Sequence, residues 1–179
     1  CLLQRSNYRD LSNIILAARR LQLNQISFLA ADVSTAAFNR NELWVDEKVA
    51  DVALNEAEAN EFEEYVLNSI RDFKDLYAEQ FIAESPARMM ELVQYYYALL
   101  GRREFPERHC NAPWVSAVVE ADGEVRPCFF HASYGNIYQQ GFQKILNSAK
   151  AIEFRRTLNV RRDPVCKKCV CSLSLPLNG

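Results

Sequence analysis

The 179-residue chain lacks the features that would place it in a membrane or in a secretory pathway. No apolar run approaches the roughly 20 residues that are needed to cross a bilayer. The amino end turns polar at once, so no signal peptide is visible. We therefore expect a cytoplasmic protein without membrane contact. The chain also begins without Met, which predicts a processed product or a piece of something longer.

The sequence also has few histidines and no excess of positive charge. The only two histidines are His109 and His131, so a histidine-rich catalytic metal centre is difficult to build. A net charge of −2 and a pI near 5.8 disfavour nucleic-acid binding, which needs a basic surface. The charges are unevenly spread, because residues 41–80 carry twelve acids against three bases and residues 150–169 carry seven bases against two acids.

The first half of the chain reads mainly as helices. The hydrophobic spacing predicts a helix over 8–22 after the N-cap Asn7, a strand over 26–30 and a long helix over 56–82. Ser85-Pro86 predicts the start of another helix. A single strand cannot form a sheet, so we expect the strand to expose an unpaired edge and to pair with a second copy, pack aberrantly or be partly disordered.

The second half has a different character. Residues 114–119 read as a strand, Asp122-Gly123 is a hairpin signal, and the return strand leads towards Cys128. Two short helices are predicted over 142–146 and from Ser148 to about residue 158, followed by a tight loop.

Cysteine is the informative residue type, because five of the six cysteines fall in the last 70 residues. Without a secretory signal, a metal or redox role is favoured over disulfides. A two-residue-spaced pair can place two sulfurs on one centre, and the ends of a hairpin can supply two more. These four residues are Cys110, Cys128, Cys166 and Cys169.

Four thiolates complete the coordination of zinc or of a cubane iron–sulfur cluster, and the residue types do not choose between them. The seven bases of residues 150–169 would offset the excess negative charge. Cys171 is a spare ligand, a replacement for Cys169 or a free thiol. His109 and His131 are interpreted as neighbours of the cysteines rather than as ligands. A metal-free fold with free thiols is a further alternative.

The order of these landmarks resembles the SPASM or twitch auxiliary-cluster domain of radical S-adenosylmethionine enzymes. Twelve residues separate Cys110 from Gly123 and four separate Gly123 from Cys128, which fits the opening pattern of that family. Tyr134-Gly135-Asn136-Ile137 is similar to its Gly-Asn-Ile step, and Cys166-Lys-Lys-Cys169 resembles its closing pair. The likeness covers about residues 108–171.

The first residues are similar to the fifth helix and sixth strand of the partial (β/α)6 barrel of the same superfamily. The resemblance therefore implies an α+β chain in three parts: a barrel remnant over 1–31, a mainly helical linker over 32–107 and a cluster domain over 108–179.

Two departures from the family limit what the resemblance implies. The Cys-x3-Cys-x2-Cys motif that binds the cluster used to cleave S-adenosylmethionine is absent, and so are the first barrel strands. The chain would then need a missing amino-terminal radical half as a partner and would be inactive alone. With four ligands it would hold one auxiliary [4Fe–4S] cluster, for electron transfer or for positioning an unknown peptide or small-molecule substrate. The alternative is a zinc-stabilised protein-interaction module.

Overall fold

The computed structural model describes residues 1–37, 40 and 42–176. They divide into two compact units. The amino-terminal unit comprises residues 1–33 and 44–106, and the carboxy-terminal unit comprises residues 34–43 and 107–179. The mixture of helices and small sheets belongs to the α+β class, and the described residues contain no closed barrel. The three-part division of the sequence stays a prediction.

The amino-terminal unit contains two short strands, a 3-10 turn and five helices. They are β1 (Leu2–Leu3), the 3-10 turn Tyr8–Asp10, α1 (Leu11–Arg20), β2 (Leu29–Ala30), α2 (Asp46–Val52), α3 (Glu56–Asp72), α4 (Lys74–Ala78) and α5 (Pro86–Leu99). No described helix combines the length and the apolar character that a membrane crossing requires.

The strand predicted over 26–30 has a partner within the chain, so the expectation that it lacks one is wrong. Strand β2 pairs in parallel with β1, with Leu2 opposite Leu29 and Leu3 opposite Ala30. The sequence missed β1 because two residues are too few to show a period. Pairing with a second copy of the chain stays a prediction.

Aromatic side chains form the core of the amino-terminal unit. Tyr8, Phe62 and Tyr96 are fully buried, and the Phe62 ring contacts the other two edge-on at centroid distances of 6.1 and 5.9 Å. Tyr95 is also fully buried and Tyr97 nearly so. The consecutive tyrosines therefore serve packing, as their different directions around α5 indicated.

The single helix predicted over 56–82 is wrong, because the chain breaks at Phe73. Helix α3 begins with a capping box, in which Asn55 and Glu58 each accept the other's backbone N–H. It ends at Asp72, where Phe73 leaves the helical region with φ of −115°, and α4 begins immediately afterwards. Ser85 caps α5 as predicted, its hydroxyl accepting the N–H of Arg88.

Within the described residues, the carboxy-terminal unit combines a three-stranded antiparallel sheet with four short helices. The elements are α6 (Ala112–Val115), β3 (Val118–Val119), β4 (Glu124–Arg126), β5 (Gly135–Asn136), α7 (Phe142–Leu146), α8 (Ala149–Thr157) and α9 (Pro164–Lys167). Strand β4 lies in the centre, between β3 and β5. Val125, Tyr134, Ile145 and Ala151 form the small core.

The predicted strand over 114–119 is only partly correct. Pro113 lies in the first turn of α6, so the chain forms a helical turn through Val115 before β3 begins at Val118. The hairpin at Asp122-Gly123 and the helices α7 and α8 are confirmed. The tail predicted as a loop contains α9.

Gly123 is required by the hairpin that leads to Cys128. Its φ is +85°, and a Cβ at this position would lie 2.6 Å from the Tyr138 ring and 2.8 Å from Oδ1 of Asn136. The Asn136 side chain cannot easily retreat, since it donates to the Asp122 carbonyl and accepts from the Tyr138 N–H.

We predict that Gly123→Ala lowers the free energy of unfolding by about 1–3 kcal/mol, because it adds backbone strain and a close contact. Urea unfolding followed by circular dichroism measures the change. Gly141→Ala is the matched control in the same unit, because Gly141 has negative φ and open space around it. The control should change stability by less than about 0.5 kcal/mol, and equal effects of the two substitutions would contradict the prediction.

Candidate metal centre

Five cysteines of the carboxy-terminal unit line one cavity. The structure brings together all four residues predicted as ligands, and Cys171 joins them. The five are Cys110, Cys128, Cys166, Cys169 and Cys171. No disulfide joins any of the six cysteines, all of which lie in described positions. Cys1 is exposed and belongs to the other unit.

Cys166 and Cys169 are positioned by the start of α9. Asp163 caps this helix, and its Oδ1 accepts the N–H groups of Val165 and Cys166 at 2.9 Å. The chain then turns so that the Cys169 N–H donates to the Cys166 carbonyl at 3.1 Å. This local knuckle explains why two intervening residues suffice to place both sulfurs at one cavity.

Cys110 and Cys128 lie on either side of the hairpin in the sequence. Cys128 follows β4, and Cys110 precedes α6. Asn111 ties Cys110 to the tail, because its backbone N–H donates to the Leu173 carbonyl at 2.8 Å and its side-chain amide exchanges hydrogen bonds with the backbone of Leu175 at 2.7 and 3.0 Å. We call these contacts of Asn111 the tail clasp. Apart from the position of Asn111 next to a cysteine, no sequence pattern predicts the tail clasp.

Each of the four sulfurs has an N–H or imidazole neighbour. The Leu173 N–H donates to Sγ of Cys110 at 3.4 Å, and the Cys171 N–H donates to Sγ of Cys169 at 3.3 Å. Backbone hydrogen bonds at Phe130 and His131 lower the pKa of Cys128, opposing the larger effect of burial. The remaining neighbour is the His131 side chain, whose Nε2 lies 3.3 Å from Sγ of Cys166.

Burial raises the pKa of three of the cavity thiols and so favours their protonated form. It raises the pKa of Cys128 and Cys166 above the ordinary value, and it raises the pKa of Cys169 to about 12. Negative charge on neighbouring thiolates adds to the effect, with Cys110 acting on Cys128 and Cys169, and Cys128 acting on Cys166 and Cys169. Sulfurs that disfavour one another's ionisation suit a cation at their centre, because only compensating positive charge makes them all thiolates.

Arg108 is a buried arginine at the cavity. Its side chain lines the cavity and the residue is only 6% exposed. None of the seven bases of residues 150–169 lines the cavity, and the expectation that they offset its charge stays a prediction. Arg156 and Arg161 instead form surface ion pairs with Glu153 and Glu107. Sequence reasoning missed Arg108 because a single arginine outside the basic run carries no pattern.

The two histidines differ in their relation to the cavity. His109 is exposed and does not line it, whereas His131 does. The His131 ring packs edge-on against Phe154 at a centroid distance of 4.9 Å. Burial lowers the pKa of His131, and the charge of Asp163 partly opposes this. His131 thus contacts Cys166, and the ligand atoms of His131, Asp163 and Cys166 all lie within 4.8 Å of one another. Its interpretation as a neighbour rather than a ligand stays a prediction.

The sequence matches one protein family and one characterised relative. The model of the SPASM family, an iron–sulfur cluster-binding domain, matches residues 110–170. The chain is also 26% identical over 161 residues to the antilisterial bacteriocin subtilosin biosynthesis protein AlbA of Bacillus subtilis (strain 168). The alignment covers 86% of this chain and 31% of that relative, so the chain spans about a third of its length.

No solved structure matches the chain. The matched residues 110–170 begin at the first sulfur of the cavity and include the other three predicted ligands. They agree with the likeness seen in the sequence over residues 108–171. We conclude that residues 110–170 of this chain are a SPASM domain, an iron–sulfur cluster-binding domain.

Proposed function

We propose that this chain is the auxiliary-cluster part of a radical S-adenosylmethionine oxidoreductase or maturase. In this proposal one [4Fe–4S] cluster is held by the sulfurs of Cys110, Cys128, Cys166 and Cys169. The observation that carries the proposal is that all four cysteines line one cavity within the residues that match the SPASM family. Thiolate is the ligand that such clusters require.

The residues around the cavity suit this group. Four thiolates around a 2+ core leave about two excess negative charges, and the buried guanidinium of Arg108 offsets part of them. The N–H groups of Leu173 and Cys171 donate to two of the sulfurs. When bound, the cluster supplies one-electron transfer or, where one iron lacks a protein ligand, a site for substrate. Four cysteine ligands favour electron transfer, because they leave no iron open.

Cys171 is not needed as a ligand in this arrangement. Its backbone carbonyl and N–H both contact Sγ of Cys169, at 2.7 and 3.3 Å. Cys171 therefore contributes through its backbone, which a change of side chain preserves.

The wider activity belongs to the same proposal. A radical half that carries the Cys-x3-Cys-x2-Cys motif must be supplied by a partner segment or chain, since these 179 residues lack that motif. The likeness to a bacteriocin biosynthesis protein favours a peptide as substrate. Six cysteines without a disulfide fit a reducing, cytoplasmic setting.

We predict that the wild-type chain takes up about four iron and four sulfide ions when it is reconstituted without oxygen, as one cubane cluster requires. Alanine at any of the four proposed ligands should abolish stable binding of the full cluster. Iron and labile sulfide assays together with the visible absorption spectrum measure the result. Cys171→Ala is the matched control, because this residue lines the same cavity, and it should keep wild-type iron content.

Two outcomes would reject this ligand set. Full iron uptake by all four alanine variants is one, and loss of uptake in Cys171→Ala with retention in Cys169→Ala is the other. Zinc without labile sulfide, persisting after reconstitution, would instead support a zinc-stabilised interaction module. Zinc in protein purified in air does not decide the matter, since thiolate sites also bind zinc.

A pH dependence follows from the raised pKa values of the buried thiols. Between the ordinary value of 9.0 and the folded pKa of about 12, the unfolded chain has released the Cys169 proton while the folded chain retains it. This contribution to stability is therefore complete below pH 9 and is lost as the pH rises towards 12.

We predict that the metal-free, reduced protein loses stability above pH 9, by up to about 1.4 kcal/mol per pH unit for each thiol. Urea unfolding at a series of pH values measures the loss. The Cys169→Ala variant should show a shallower loss than wild type, whereas substitution of the exposed Cys1 by Ser should leave it unchanged. Identical pH profiles for Cys169→Ala and wild type would contradict the prediction.

A further inference from the structure

The His131 imidazole is held in one orientation at the wall of the sulfur cavity. Its side chain is only 9% exposed, and its ring packs against Phe154 at a centroid distance of 4.9 Å and an interplanar angle of 63°. Its Nε2 lies 3.3 Å from Sγ of Cys166. Since packing restricts the ring, the contact with the sulfur is fixed by the fold.

The direction of this hydrogen bond follows from the chemistry of a ligand. A cysteine that binds a metal has lost its proton and can only accept a hydrogen bond. Nε2 of His131 must therefore carry the proton and donate it towards Cys166. Asp163 favours the same tautomer, because its Oδ1 lies 3.7 Å from Nε2.

His131 differs in kind from the other donors around the cavity. Cys110 and Cys169 accept from the backbone N–H groups of Leu173 and Cys171, and the contacts of Cys128 are also with backbone. Among the donors to the four proposed ligands, the one at Cys166 is a side chain; the Asp163 carboxylate, which also lies at this sulfur, cannot donate to a thiolate. The hydrogen bond from His131 is therefore the contact that a substitution can remove without changing the backbone.

We propose that His131 is a positioning residue for the auxiliary cluster: by donating its Nε2–H to Sγ of Cys166, it holds this ligand and raises the reduction potential of the site. The proposal rests on the proposed function. Reduction brings one electron from a low-potential one-electron donor, and His131 keeps its proton throughout. A hydrogen bond to a ligand sulfur stabilises the added negative charge, so the reduced state gains more from it than the oxidised state.

The test compares substitutions of His131 in the reconstituted chain. Leu removes the donor, whereas Gln retains an N–H group that can reach towards the sulfur. His109→Leu is the matched control, because His109 is exposed and does not line the cavity. A redox titration with dithionite, followed by the electron paramagnetic resonance signal of the reduced cluster, gives the midpoint potential. Iron and sulfide content are measured in the same samples.

We expect full iron content in all variants, a more negative midpoint potential for His131→Leu and partial recovery for His131→Gln. His109→Leu should match wild type. A wild-type potential in His131→Leu would overturn the proposal. Loss of iron in both His131 variants would also overturn it, because His131 would then be a ligand, close enough to Asp163 and Cys166 to share one metal ion. Failure of wild type to take up any cluster would instead reject the proposed function itself.

A second measurement decides the case if His131→Leu does not fold. The wild-type chain is loaded with zinc, which is diamagnetic, and the imidazole nitrogens are observed by 15N nuclear magnetic resonance. A protonated Nε2 with no bound metal supports the donor role. A metal-bound Nε2, or a proton on Nδ1 alone, overturns it.

Discussion

Sulfur atoms that are buried together can all ionise only when a cation compensates them, and the carboxy-terminal unit is organised by this constraint. Burial and mutual repulsion raise the pKa values of Cys128, Cys166 and Cys169. Each is held nevertheless at one cavity by local hydrogen bonds, such as the Asp163 cap. Without a cation the buried thiols stay neutral, and a bound cation allows them to ionise together. The grouping of several such thiols around one cavity is what distinguishes this site from single core cysteines.

The basic residue at the cavity is not one of those that are clustered in the sequence. Seven bases precede and surround the last cysteines in the sequence, yet they lie away from the cavity lining. The buried Arg108 lies at the lining although nothing in its neighbourhood predicts this. A group of like charges close together in the sequence is usually solvated, because burying several of them together is costly. The charge of one cation that is already buried is screened much less by water, so its attraction to the thiolates is stronger.

Local signals in the sequence predicted the features that local chemistry determines. The hairpin at Gly123, the Ser85 cap and the Cys166–Cys169 knuckle all depend on residues within a few positions of one another. The break at Phe73, the strand β1 and the tail clasp could not be predicted, because they depend on contacts between distant segments or on elements of two residues. That the four cysteines would meet at one cavity could be predicted, because their spacing in the sequence is typical of metal-binding cysteines. Arg108 and the partner of His131 follow from packing alone.

The tail clasp has a consequence for the order of assembly. Asn111 is joined to Leu173 and Leu175, which lie more than 60 positions later in the chain. Because the amino-terminal part of a chain is synthesised first, the wall of the cavity next to Cys110 is complete only when the chain up to Leu175 is present. The order of synthesis thus places the completion of this wall after all six cysteines.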